Sequence, residues 1–113
     1  MASDKQFDTG ATREDKTQKL DFEGFLSPRV LKSYAEYMHK NRFRPDGTIR
    51  DSDNWQNGIP YDSYMKSLLR HVIDLWCWHR DIPCEESLEE ALNGIIFNSS
   101  GYLHEHLKEK DSF

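Results

Sequence analysis

The chain has 113 residues, 36% of them hydrophobic, and carries fifteen Lys and Arg against twenty Asp and Glu, for a formal charge of −5. That length supports one domain with a single modest core, small enough that homo-oligomerisation is a natural way to bury more apolar surface. The acidic balance argues against a duplex nucleic acid surface built on counterion release, though not against a local basic pocket. No stretch reaches the roughly eighteen apolar residues of a membrane span, and the start MASDKQFDTG lacks the apolar segment of a secretory signal, so the expected location is a cytoplasm. Cys77 and Cys84 fit reduced thiols better than a disulfide framework.

Residues 1–19, rich in Lys, Asp, Thr and Gln, are expected to form an arm that is flexible or orders only against a ligand, followed by one helical domain over 20–113. Ser27 and Pro28 supply a helix entrance: the hydroxyl can accept from orphan amides of the first turn, and proline's missing N–H costs nothing there. Val30, Leu31, Tyr34 and Met38 recur at helical spacing until Pro45 and Asp46-Gly47 stop the pattern, which predicts a first long helix over roughly residues 28 to 42. The segment RDSDNWQNGIP has no helical pattern and places Trp55 among amides, carboxylates and a glycine.

After Pro60 a second helix runs to about Arg80 with Tyr64, Leu68, Val72, Leu75 and Trp76 on its apolar face. DIPC is a short connector of the kind that joins antiparallel helices. Glu85, Glu86, Glu89 and Glu90 then crowd the first turns of a third helix, where the dipole favours carboxylates, and Leu88, Leu92, Ile95, Tyr102 and Leu103 carry it to about Lys108. No strand is expected. The fold class is all-α: a small bundle in which the second and third helices form an antiparallel hairpin packed by the first.

Ser67, Arg70, His71 and Asp74 share one face of the second helix by their spacing. Glu86, Glu90, Gly94, Asn98, Gly101 and Glu105 form a row on the third, with glycines that let a neighbour approach closely. Facing one another, the two rows would gather oxygen ligands for a divalent cation and donors for a phosphate. The same residues also admit plainer readings, as solvated glutamates at a helix start, a surface pair of Arg70 with Asp74, and a core histidine at 71. Cys77, His79 and Cys84 lack the paired spacing of a zinc site. In the loop, Asn54 offers amide donors and acceptors, and Trp55 either stacks a base or plugs the core beneath it.

The strings TGATREDKTQKLDFEGFLSPRVLKSYAEYM, SDNWQNGIP, MKSLLRHVIDLW and LEEALNGIIFNSSGYLHE, spanning residues 9–106, resemble the phage and bacterial family described as dATP/dGTP diphosphohydrolase, N-terminal domain. That family looks like a branch of the MazG-like all-α NTP pyrophosphatases. The resemblance implies hydrolysis of a deoxypurine triphosphate to monophosphate and pyrophosphate, with Mg²⁺ or Mn²⁺ held by carboxylates of a helix pair. Position by position, Glu90 falls on the family's acidic residue opening the last helix, Asn98 on its buried Asn, Arg70 and His71 on its Arg-His pair, and Lys19 on its basic residue before the first helix. Asp74 and Glu86 join this set from helical geometry alone. The chain departs from the usual Glu-x-x-Glu and Glu-x-x-Asp pattern, showing at best His71-x-x-Asp74 followed by Glu86 with Glu89 or Glu90.

The expected function is therefore a metal-dependent nucleotide pyrophosphatase. Asp74, Glu86 and Glu90 would be metal ligands or water activators, Arg70, His71 and Lys19 would hold phosphates, and Asn54 and Trp55 would hold the base, with Asn98 also in the nucleotide site. The alternative is a phage protein that sequesters a nucleotide or nucleotide-derived signal without cutting it. A third reading is a structural helical module. If the chain is phage-encoded, the cytoplasm is the host's.

Overall fold

A computed structural model of the chain describes residues 4–6, 10, 12–14 and 19–110. Most of the expected arm, residues 1–19, lies outside the described residues. Those described include two short antiparallel strands, β1 (Asp4–Gln6) and β2 (Thr12–Glu14), so the expectation of no strand fails locally. The body is all-α, as expected: α1 (Phe22–Phe25), α2 (Pro28–Lys40), α3 (Tyr61–His79) and α4 (Leu88–Lys110).

Helices α1 and α2 start on side-chain caps, whereas α3 follows Pro60 without one. The Asp21 carboxylate accepts from the Gly24 amide at 2.9 Å, and Ser27 Oγ accepts from the Val30 amide at 3.2 Å with Pro28 in the first turn. At α4 the start differs from expectation. Glu85 and Glu86 precede the helix, and Ser87 with Glu90 forms a reciprocal capping box: the Glu90 amide donates to Ser87 Oγ at 3.1 Å, and the Ser87 amide donates to Glu90 Oε1 at 3.3 Å. At the other end of the connector, α3 stops at Asp81, whose φ of 55° lies in the left-handed region that ends helices.

The hairpin of α3 and α4 is the closest packing in the fold, and glycine makes it so. A Cβ at Gly101 would collide with the ring of Tyr64, and a Cβ at Gly94 would sit 2.5 Å from Nε2 of His71. Tyr64 is consequently only 1% exposed, and with Ala91 it makes up the fully buried apolar set among the described residues. Helix α2 also packs on α4, tied by Asn93 Nδ2 donating to Ser33 Oγ at 3.0 Å and by Lys40 donating to Glu90 Oε2 at 3.1 Å.

Between α2 and α3 the chain makes a small hairpin. Phe43 pairs with Ile49 across a Pro45-Asp46-Gly47 turn, with Gly47 at φ 87° and the Asp46 carboxylate accepting from both the amide and the hydroxyl of Thr48. A 3₁₀ turn (Asn54–Asn57) follows, and Gly58 at φ 118° redirects the chain into Pro60.

Candidate functional site

The hairpin puts Arg42 and Arg50 side by side. The Arg50 amide donates to the Arg42 carbonyl at 2.9 Å, and Arg42 Nε returns a bond to the Arg50 carbonyl at 2.7 Å. Arg50 Nη1 donates in turn to the Asn41 carbonyl at 2.8 Å, so both long side chains are anchored at one end. The remaining guanidinium N–H groups are the strongest anion donors on a cavity of about 460 Å³. Helix α2 supplies Tyr37 and Met38 to its wall, α3 supplies Ser67 and His71, α4 supplies Phe97 and Asn98, and the loop supplies Asn54 and Trp55.

Trp55 does two things at once. Its indole stands edge-on to Phe97, with centroids 6.4 Å apart, and to His104 at 4.8 Å, so it closes the loop onto α4. It also lines the cavity, so packing and presentation are not alternatives here. Asn98 is 3% exposed and donates through Nδ2 to the Gly94 carbonyl at 2.7 Å, which leaves its carbonyl oxygen as the acceptor it can offer to the cavity.

His71 is held from behind. Its Nδ1 lies 2.6 Å from Glu86 Oε1, both side chains are about four-fifths covered, and the imidazole lies against Gly94. An ionised carboxylate only accepts, so Nδ1 is the donor of this pair. The indole N–H of Trp78 donates to the Glu86 carbonyl at 2.9 Å and pins this segment. Tyr37 faces the same acids, and burial first, then Glu86 and Glu90, pushes its hydroxyl above the ordinary tyrosine range.

The expected residues divide accordingly. Asn54, Trp55, His71 and Asn98 meet on one cavity, and Glu86 backs it through His71. Arg70 is exposed on α3 and Lys19 is exposed ahead of α1; neither lines the cavity. Arg70 stands at the edge of its polar row, where the helix turns it out of the α4 groove. Arg42 and Arg50 are the basic side chains that line the cavity. Their signal in the sequence is their symmetric placement about a Pro-Asp-Gly turn, which is a hairpin signature.

The expected carboxylate set is not assembled within one chain. Glu86 is committed to His71, and Glu90 to Lys40 and its own helix cap, which together hold its carboxyl below the usual carboxylate range, Lys40 first. Asp74 lies by Cys84 on the connector side, where it and Cys77, after burial, push the thiol of Cys84 up. Among the described residues no three His, Cys, Asp or Glu side chains converge as a metal-ligand group. No helix among them is long and apolar enough to cross a membrane. No family model, curated protein or solved structure matches the chain.

Proposed function

We propose that the cavity is a nucleotide-binding site and that one chain captures its ligand without cutting it. The observation that carries this reading is a half-open cleft of about 460 Å³ lined by two anchored arginines and an indole. That volume lies within the range of small-molecule sites, roughly 300–1,000 Å³. Arg42 and Arg50 suit phosphate oxygens by charge-assisted, forked hydrogen bonds, and Trp55 gives a base a flat contact that contributes about 1–3 kcal/mol. Asn41, Asn54 and Asn98 supply donors and acceptors for the base edge and sugar. A deoxypurine triphosphate in a cytoplasm, the host's if the chain is phage-encoded, is the ligand favoured by the sequence resemblance.

One observation favours hydrolysis as a second reading: a carboxylate-backed imidazole on the same cavity, able to take a proton from water. The Mg²⁺ or Mn²⁺ that the resemblance implies would supply charge neutralisation to the phosphates. Calorimetric titration with each dNTP, in EDTA and in Mg²⁺, separates the two readings when run beside a pyrophosphate assay. Binding in EDTA with the nucleotide recovered intact is expected. At 100 times its Kd the ligand should stabilise the fold by about 2.7 kcal/mol. Pyrophosphate release would replace capture with hydrolysis, and silence from every nucleotide would end both. Arg50→Ala should weaken binding by about tenfold or more.

A further inference from the structure

The outer side of α3, turned away from α4, is apolar and open. Met65, Leu69, Ile73 and Trp76 are 42%, 54%, 53% and 56% exposed. Met65, Leu69, Val72 and Trp76 recur at intervals of four, three and four residues, which aligns them in one narrow seam of the kind that pairs helices by inserting knobs into holes. A shallow recess of about 320 Å³ between Val72, Leu75, Trp76 and His79 interrupts the seam near its C-terminal end.

We infer that this seam is the contact between two copies of the chain, α3 packing antiparallel on α3 of the second copy across a two-fold axis between Leu69 and Val72. A two-fold contact is self-complementary, so every pairing occurs twice. In that register Leu69 meets the partner's Val72, and Met65 enters the recess beside the partner's Trp76, a thioether-on-aromatic contact that soft sulfur favours. Charge fits the same direction. Asp62 is the acidic residue of the first turn of α3 and His79 the basic residue of its last turn, so antiparallel pairing sets each carboxylate opposite an imidazole. It also sets opposite ends of the two helix dipoles together. A parallel pair would instead face Asp62 with Asp62 and stack the two recesses.

The area is sufficient. Covering these half-exposed side chains and their polar flanks removes on the order of 1,000 Å² from water over both copies, where specific interfaces begin. The remainder of the fold needs such cover, since only Tyr64 and Ala91 are fully buried apolar side chains among the described residues. The contact lies on the far side of α3 from the cavity and is independent of what the cavity binds.

Sedimentation equilibrium of the full chain should give twice 13.4 kDa. Leu69→Glu should weaken association by about 100-fold or more, because it buries a carboxylate in an apolar seam, while circular dichroism reports an unchanged helical fold. Should Leu69→Glu fail to fold, the charge pair carries the test alone. Asp62→Lys should weaken the dimer and Asp62→Lys with His79→Glu should restore it. A monomeric wild-type chain, a folded Leu69→Glu chain that stays dimeric, or no restoration by the double charge exchange would overturn the proposal.

Discussion

The two faces of α3 solve opposite problems. Toward α4 the helix presents Tyr64, Ser67 and His71, and each lies against a particular feature: Gly101 under Tyr64, Gly94 and Glu86 around His71, the cavity beside Ser67. Away from α4 it presents Met65, Leu69, Ile73 and Trp76, which ask only for another apolar surface. The inner face is specific because His71 is bonded to one carboxylate and Tyr64 fits over one glycine. The outer face is general because hydrophobic burial is non-directional. Site chemistry and assembly are thus separated by half a turn of one helix.

Changes on the inner face should be the more damaging, and Gly101→Ala the most. Its methyl has nowhere to go, because Tyr64 is fully buried; a loss of about 1–3 kcal/mol is expected, read as a Tm drop of roughly 5–15 °C in thermal unfolding. Gly94→Ala presses on His71, which lines the cavity, so its effect should fall on ligand affinity as well as on Tm. Titration of both variants with nucleotide checks that contrast. Unchanged affinity in both would mean that the two glycines serve packing alone.

A smaller and pH-dependent effect sits where α2 meets α4. The Glu90 carboxyl is held below its ordinary value of 4.5 chiefly by Lys40, so its contribution to stability is present above that pH and is lost as pH falls through the lowered folded value. The pair is largely solvent-exposed, which limits the effect. Glu90→Gln should therefore lower Tm by only about 1–3 °C at pH 7 and leave it unchanged near pH 3. At the alkaline end the sign reverses. Tyr34, Tyr37, Tyr61 and Tyr64 are all raised above 10, mainly by burial, with Tyr61 pushed up to about 12. Stability should be complete below pH 10 and fall above it, followed by tyrosinate absorbance alongside helicity. Smallest of all, Asp81→Gly should gain about half a kcal/mol by relieving the left-handed turn that ends both faces of α3, without altering either affinity or assembly.

The helices were legible because their signals are local. Ser27-Pro28 opens α2, and α3 is a helix over residues 61–79, although of its expected apolar face Tyr64 is buried while Trp76 is exposed. The facing polar rows were legible too, down to Gly94 and Gly101 as points of close approach, although what approaches is a histidine and a tyrosine rather than backbone or ligand. The arginine pair on the cavity was not. Arg42 and Arg50 become neighbours only when the Pro-Asp-Gly turn closes a hairpin, a non-local pairing that helical periodicity does not report. Glu90 was read as a metal ligand or a solvated glutamate at a helix start, and the structure adds its capping box with Ser87, three residues before it.

The three tryptophans stand in three separate settings: Trp55 on the cavity, Trp76 on the open seam, and Trp78 bonded at the connector. Chains that keep only one indole would emit fluorescence from one setting at a time. Quenching at position 55 would follow ligand entry and a blue shift at position 76 would follow assembly, so one cuvette could time both events without a label.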